Sequence, residues 1–281
     1  MISASGFTCH ACGAFFPVWP SNPCPECGRW NLIRPGKVDQ IQKQLQGAVH
    51  PLGESVAPLA RHSTGIRSLD LLLGGETHPG IVDGHAAFLV GPPGVGKTTL
   101  GLQLMAAATR PLFVSAEQPE NEIAARAAEM RLDVSKVMFS ADTELGSIEA
   151  AIAQAKATDC VIDSLSCLWD KKRASPPGSA WMMKEAARRL FEIAHATRTT
   201  LWIVGHINKK GHASGPMSAV HWTDVLLQYE TQTDELQTRK LYFPLPKKNR
   251  GGPTLGAAYF RMTEESGLVP MCEEEIQGAT A

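Results

Sequence analysis

The sequence lacks the features of membrane and secreted proteins. No apolar run approaches the roughly 18 to 20 residues that a membrane-spanning helix needs, and the first residues show no basic stretch followed by an apolar one. These absences predict a cytoplasmic protein without a membrane segment. Because the cytoplasm is reducing, the seven cysteines are expected to be thiols or metal ligands rather than disulfides.

The sequence also lacks an excess of charge of either sign. It has 27 Lys and Arg against 28 Asp and Glu, a formal net charge of −1, which excludes a polycation that coats nucleic acid indiscriminately. Any contact with nucleic acid must therefore be local. Four basic clusters are candidates for such a contact, and the alternative for each is ordinary solvated charge. The clusters are Lys171-Lys172-Arg173, Arg188-Arg189, Lys209-Lys210 and Lys247-Lys248 with Arg250.

The rest of the composition is that of a globular protein with no internal repeat. With 281 residues, 43% of them hydrophobic, the chain can form one α/β domain and a small appendage. We expect a four-cysteine module at 1–34, a polar linker with several Pro and Gly at 35–61, an α/β core at 62–270 and a tail at 271–281.

Short apolar runs alternate with helical segments in this core, as a doubly wound, mainly parallel sheet requires. Buried strands are predicted at 86–90, 111–117, 137–140, 160–163 and 200–206. Between Ser179 and Thr197, helical spacing predicts a core-facing stripe of Met182, Ala186, Leu190 and Ile193. Turn-rich links separate three further runs, which predict antiparallel strands at a β-rich C-terminal edge, at 225–230, 238–245 and 257–262.

Two CxxCG knuckles near the N-terminus predict a structural zinc site. They span Cys9 to Gly13 and Cys24 to Gly28. Two thiolates three positions apart can reach one ion, and two such pairs supply the tetrahedral set that zinc prefers. The alternatives are two disulfides or a redox CxxC. The predicted ligands fill all four positions and would stabilise a segment too small to fold alone: Cys9, Cys12, Cys24 and Cys27.

A glycine-rich loop follows the first core strand and matches the pattern GxxxxGK[ST]. Because it lies between an apolar run and a helical segment, it predicts a P-loop NTPase that binds ATP and Mg²⁺. Its glycines let backbone N–H groups surround a phosphate, Lys97 reaches the β- and γ-phosphate oxygens, and Thr98 can ligate magnesium. The alternative is a glycine turn with an incidental lysine. The predicted nucleotide-binding residues are Gly91, Pro92, Pro93, Gly94, Val95, Gly96, Lys97, Thr98 and Thr99.

Two carboxylates are candidates to complete this site. Asp163 ends the run CVID and Glu117 ends the run PLFVSAE, which places both at the carboxyl edge of a parallel sheet, where the P-loop also emerges. Asp163 is expected to hold magnesium. Glu117 is the candidate to orient or deprotonate the attacking water, unless it serves only as a carboxylate near a helix N-terminus.

Several motifs together resemble the RadA/Sms family, which consists of bacterial RecA-type ATPases of recombination and repair. In chain order they are CHACG, CPECGRWN, STGIRSLDLLLGG, GPPGVGKTT, FVSAEQ with Arg126 beyond it, VIDS, GHINKKG, SGP and KNR. The resemblance runs from Cys9 to about Val269. In the family the last motif continues KNRFG, whereas Gly251 follows Arg250 here. Family members usually carry a Lon-protease-like C-terminal domain, so the chain resembles a short form.

The resemblance implies a RecA-like core and assembly into a ring with sites between subunits. By position it makes His206 a sensor of the γ-phosphate and places Lys248 and Arg250 in the family's signature motif. RecA-type ATPases commonly complete each site with cations from the adjacent subunit, and these two residues are the candidates for that role. The alternatives are a strand-end histidine and surface charge. RecA-type loops that face DNA follow the magnesium-aspartate strand and the sensor strand, where Lys171-Lys172-Arg173 and Lys209-Lys210 fall.

Two functions are consistent with these residues. The first is a DNA-stimulated ATPase or motor that acts on single-stranded or branched DNA in recombination, repair or replication. The second is a nucleotide-gated adaptor that docks a recombinase or replicative helicase without translocating on DNA.

Overall fold

The computed structural model describes residues 5–9, 14–16, 23–26, 30, 33–37, 59–173, 175–206, 220–232 and 238–280. The chain divides into two compact units, Met1–Pro58 and Leu59–Ala281. None of the helices in these ranges is long and apolar enough to cross a membrane.

The first unit contains a small antiparallel sheet in the order β2-β1-β3. Its strands are β1 Ser5–Cys9, β2 Phe15–Phe16 and β3 Ile33–Lys37. The sequence predicted that the module ends at residue 34. Strand β3 continues past this residue and pairs with β1 along its whole length, from Ser5 opposite Lys37 to Cys9 opposite Ile33. The sheet of the first unit therefore includes residues beyond 34, up to Lys37.

The second unit is an α/β structure. Its strands are β4 Arg61–His62, β5 Ile81–Val82, β6 Ala86–Gly91, β7 Pro111–Ser115, β8 Met138–Ser140, β9 Asp159–Asp163, β10 Thr200–His206, β11 Val225–Thr231, β12 Thr238–Tyr242, β13 Ala257–Thr263 and β14 Gly267–Pro270. Its helices are α1 Arg67–Gly74, α2 Lys97–Ala107, α3 Glu120–Glu129, α4 Leu145–Ala155, α5 Ala180–Thr197 and α6 Glu273–Thr280, with a 3₁₀ turn at Leu165–Cys167.

Nine of these strands form one sheet in the order β14-β13-β12-β11-β6-β10-β9-β7-β8 within the described ranges. The six strands from β11 to β8 in this order run parallel to one another. Every residue of β6, β7 and β9 is buried, as expected for parallel strands covered on both faces. The predicted doubly wound, mainly parallel architecture is confirmed.

Helices cover both faces of the sheet and create two apolar cores. Helices α1, α2 and α3 contribute to one core, and α4 and α5 contribute to the other. Helix α5 begins after Ser179, whose hydroxyl accepts a hydrogen bond from the Met182 amide at 3.2 Å. The predicted stripe on α5 is buried at Met182, Ala186, Leu190 and Ile193, so the helical spacing is confirmed.

The C-terminal edge differs from the sequence prediction in the direction of one strand and in the position where another strand ends. Strand β11 was expected to be antiparallel, but it pairs in parallel with β6 and antiparallel only with β12. Its apolar start, Val225 to Leu227, is buried, which suits a central parallel strand better than a half-exposed edge. Strand β12 ends at Tyr242 rather than at residue 245, because Pro244 and Pro246 lack the N–H that a strand ladder requires.

Candidate nucleotide-binding site

The P-loop connects the end of β6 to the start of α2. Gly94 and Gly96 have φ angles of 75° and 103°, in the left-handed region that glycine adopts without strain. The Lys97 ammonium donates to the Gly91 carbonyl at 3.0 Å and to the Pro92 carbonyl at 2.8 Å. Lys97 is therefore turned back over the loop, where the phosphates of a nucleotide would lie.

A hydroxyl and a carboxylate meet beside this loop. The Thr98 hydroxyl, in the first turn of α2, donates to Asp163 Oδ2 at 2.6 Å. Asp163 ends β9 and is 4% exposed, and this burial raises the pKa of its carboxyl. Hydroxyl and carboxylate oxygens are the protein ligands that magnesium prefers, so the pair fits the predicted magnesium site.

Glu117 is the second carboxylate at this edge, and two side chains donate to it. The Ser164 hydroxyl donates to Glu117 Oε1, and His206 Nε2 lies 3.3 Å from the same oxygen. Burial opposes ionisation of Glu117, but the hydrogen bonds from Ser164 and His206 outweigh it and lower the pKa of the carboxyl. Glu117 is therefore an anion at neutral pH, the form that can accept a proton.

The register of the parallel strands explains why these residues meet. His206 ends β10 opposite Gly91 of β6, and Ser115 of β7 lies opposite Asp163 of β9. Strand β7 ends at Ser115 rather than at Glu117 as predicted, because the chain turns there and the Ser115 hydroxyl donates to the Gln118 carbonyl at 2.7 Å. Glu117 thus belongs to the turn after β7.

The side chains enclose a pocket of about 210 Å³. Its predicted lining residues are Pro93, Gly94, Gly96, Lys97, Thr98, Thr99, Glu117, Asp163 and His206. Val95 instead points into the core and is 2% exposed. Arg126 from α3 and Met262 from β13 also line the pocket, and neither was assigned to it from the sequence. Arg126 stands beyond FVSAEQ in the resemblance, whereas a lone Met in an apolar strand gives no signal.

Comparison with known proteins agrees with this geometry. A family model described as an AAA domain matches residues 77–212. The DNA repair protein RadA of Pseudomonas aeruginosa is 31% identical over 271 residues, which cover 92% of this chain and 58% of that protein. RadA of Aquifex aeolicus is 30% identical and covers 93% of this chain and 58% of its own length.

The chain is homologous to these RadA proteins over 92% to 94% of its own length. It spans somewhat under two thirds of the length of these RadA relatives. Among solved structures, the KaiC-like protein PH0186 of Pyrococcus horikoshii OT3 has a TM-score of 0.61 at 18% identity, covering 76% of this chain and 100% of that one. This likeness confirms the RecA-like fold class.

The RadA motif KNR lies away from the phosphate site within the chain. Asn249 bridges to Val225 at the start of β11, and Val225 pairs beside Ala87 near the start of β6. The P-loop follows the other end of β6. Lys248 and Arg250 are therefore at the amino edge of the sheet, and a single chain does not bring them to its own pocket.

Both KNR cations have partners at that edge. The Lys248 ammonium donates to the carbonyls of Val220 at 2.6 Å and His221 at 2.8 Å, and burial lowers the pKa of Lys248 to about 8. Arg250 donates to Asp224 Oδ1 at 3.1 Å and remains half exposed. Neither Lys248 nor Arg250 lines the nucleotide pocket of its own chain.

Gly251, where the RadA motif usually has an aromatic residue, is fixed by its surroundings. A Cβ at this position would approach Val82 Cγ2 at 2.8 Å and His85 Cε1 at 3.1 Å. The Gly251 backbone therefore packs against Val82 and His85, and a side chain at this position would require these neighbours to shift.

The predicted zinc ligands are described in part. Cys9 and Cys24 are both buried, at 0% and 1% exposure, and pack with Phe7, Ala14 and Phe16. Cys12 and Cys27 lie outside the described residues. Two buried cysteines of different knuckles in one small cluster suit a shared metal, and the four-cysteine set stays a prediction.

Of the two predicted DNA-contacting clusters, one lies within the described residues and the other lies outside them. Lys171, Lys172 and Arg173 are exposed and follow the 3₁₀ turn after β9, at the edge of the sheet that carries the P-loop. Lys209 and Lys210 follow β10 and lie outside the described residues.

Proposed function

We propose that this chain hydrolyses ATP and couples hydrolysis to action on single-stranded or branched DNA in recombination, repair or replication. The observation that carries the proposal is the meeting of three parts on one edge of the sheet. These parts are the P-loop lysine, the Thr98–Asp163 pair and the hydrogen-bonded Glu117.

The P-loop would hold the phosphates of ATP. Lys97 would exchange its bonds to the Gly91 and Pro92 carbonyls for phosphate oxygens, which are stronger partners because they are charged. Thr98 and Asp163 would hold magnesium, which when bound supplies positive charge against the charge that develops on the transferring phosphoryl group. Arg126 adds a second cation to the pocket wall.

Glu117 would act on the attacking water. Its lowered pKa keeps the carboxylate ionised, and Ser164 and His206 fix its orientation through Oε1. The second oxygen, Oε2, is left for the water. His206 would sense the γ-phosphate, because it neighbours Gly91 in the sheet and precedes the segment that carries Lys209 and Lys210.

Two further features would complete the active assembly. Lys248 and Arg250 would reach the γ-phosphate of the adjacent subunit in a ring, where a cation can increase the rate by roughly 10³ to 10⁵. The exposed cluster Lys171-Lys172-Arg173 would contact DNA phosphates beside the nucleotide pocket.

The test is ATP turnover with and without single-stranded DNA, measured together with the mass of the protein in solution. Lys97→Ala should abolish turnover, and replacing Lys171, Lys172 and Arg173 with alanine should remove the DNA stimulation while sparing the basal rate. Lys136→Ala, at an exposed lysine elsewhere on the core, is the control. A DNA-independent rate in the parent protein would contradict coupling to DNA.

The second candidate is a nucleotide-gated adaptor that docks a recombinase or replicative helicase. It is favoured by the N-terminal residues, which form a compact unit of their own and could bind a partner protein. Unwinding of a forked DNA separates the two functions, because only a motor would release the displaced strand.

A further inference from the structure

Two exposed tryptophans border the basic cluster Lys171-Lys172-Arg173. Trp169 is 38% exposed and Trp181 is 48% exposed. An indole buries a large apolar surface in most folded proteins, and Trp is enriched at interfaces because its ring combines an apolar face with a polar N–H. We call Trp169, Lys171, Lys172, Arg173 and Trp181 the aromatic-basic patch.

Trp169 is held in a fixed place by its backbone and by its ring nitrogen. Its amide donates to the Thr143 carbonyl at 3.0 Å, and its carbonyl accepts from the Leu145 amide at 2.9 Å. Its indole Nε1 donates to the Thr143 hydroxyl at 3.0 Å. Because the polar atom is satisfied within the chain, the exposed part of the ring is apolar surface.

Trp181 is the second residue of α5 and therefore also rests on a regular element. The guanidinium carbon of Arg173 lies 5.8 Å from the centre of its ring, within the range of a cation–π contact. This contact ties the cationic segment to the aromatic surface. A ligand with alternating anionic and flat aromatic groups would match both.

The cations of the patch are partly neutralised. Lys171 Nζ lies 3.5 Å from Glu144 Oε2, and Arg173 lies 4.0 Å from Glu185. The buried Asp170 accepts from the Lys172 amide at 2.8 Å. Glu185 is also engaged by Arg188 at 2.7 Å. The contacts of Lys171 and Arg173 with these carboxylates are long, and the two cations are exposed whereas Glu144 and Glu185 are largely buried. Phosphates can therefore approach the cations from solvent, but the attraction of exposed charges alone is modest.

We propose that Trp169 and Trp181 stack on unpaired bases while Lys171, Lys172 and Arg173 contact the phosphates between them. This inference rests on the proposed action on DNA and specifies its form as single-stranded, because the faces of paired bases are already occupied by stacking within a duplex. Stacking on an aromatic side chain tolerates any base, so the patch would bind without sequence preference. It lies on the edge of the sheet that carries the nucleotide pocket.

The experiment compares oligo(dT) with a strand of equal length that lacks bases, using the full chain and fluorescence anisotropy. Both strands carry the same phosphate charge, so only stacking distinguishes them. We expect the parent protein to prefer oligo(dT) by about fivefold to tenfold for each stacked base. Stacking contributes roughly 1 to 3 kcal/mol per base, and we expect the lower end of this range because less than half of each tryptophan is exposed to solvent. Trp169→Leu and Trp181→Leu should each reduce this preference, and the double variant should abolish it.

Leu245→Ala is the matched control, because Leu245 is 82% exposed and lies outside the patch. It should leave the preference unchanged. ATP binding and melting of each variant check that the core is intact. Quenching of intrinsic fluorescence by oligo(dT) should disappear in the double variant.

Each contrary result has a distinct meaning. Equal affinity of the parent protein for both strands, or an unchanged preference in the double variant, overturns stacking while DNA binding stands. Preference for duplex over single strands also overturns it. If the parent protein binds no DNA but its tryptophans report binding of another protein, both this inference and the proposed DNA function are wrong.

Discussion

Glu117→Gln should stop ATP turnover while leaving nucleotide binding intact. Glutamine keeps the size of the side chain and a carbonyl oxygen that can still accept from Ser164 and His206. Lys97, Thr98 and Asp163 do not depend on Glu117 for the hydrogen bonds that position them. The substitution therefore removes the negative charge and the proton acceptor with little change in shape.

The size of the effect follows from that chemistry. General-base catalysis contributes about 10² to 10⁴ in rate, equivalent to roughly 3 to 5 kcal/mol of activation free energy. Nucleotide affinity should change by less than about threefold, because the hydrogen bonds of Glu117 go to Ser164 and His206 and not to the P-loop. The variant should therefore lose turnover at saturating ATP, and not only at low ATP.

The assay is phosphate release at saturating ATP and magnesium, with binding of a fluorescent nucleotide measured in parallel. Glu122→Gln, at an exposed carboxylate on α3, is the control and should keep the parent rate. Turnover by Glu117→Gln at the parent rate would refute the assignment of the base.

The pH profile supplies an independent check. Since the pKa of Glu117 is lowered, activity should persist as pH falls and be lost only below the ordinary range of a glutamate. Ser164→Ala removes one of the two donors, so burial dominates and the acid limb should move to higher pH. An unmoved acid limb would mean that another group titrates.

Three further outcomes are expected. Purified protein should contain one zinc per chain by elemental analysis, bound by Cys9, Cys12, Cys24 and Cys27, and metal-free protein prepared without chelator would exclude the site. The Arg250→Ala variant should bind ATP but hydrolyse it poorly, and mixing it with the Lys97→Ala variant should restore some activity at sites formed by one subunit of each kind. If mixing restores no activity and the rate of hydrolysis is independent of protein concentration, the role of Arg250 across subunits is refuted. His62, whose pKa is raised to about 9 chiefly by its hydrogen bond to Asp159, should stabilise the core fully below about pH 6.5, and this contribution should be lost as pH rises through about 9. His62→Gln should remove about 1 to 2 kcal/mol from the urea-unfolding free energy at neutral pH, discounted for partial exposure, and this loss should shrink as pH rises through about 9.

Features of this protein that depend on local pattern could be predicted from its amino-acid sequence. The P-loop could be found because its glycines, Lys97 and Thr98 are consecutive and their roles follow from backbone geometry. Asp163 and Glu117 could be placed because parallel strands deliver their carboxyl ends to one edge. The helical stripe on α5 could be recognised for the same reason, since its spacing repeats within one element.

Contacts between residues that are distant in sequence became visible only in the folded chain. Ser164 and His206 join Glu117 across 47 and 89 positions of sequence, and no local pattern encodes such a contact. The same holds for Arg126 and Met262 in the pocket wall, for the parallel direction of β11, and for the position of the KNR motif at the far end of β6. Strand order and register set these distances, and both arise from burying two faces of one sheet at once, a property of the whole chain rather than of any segment.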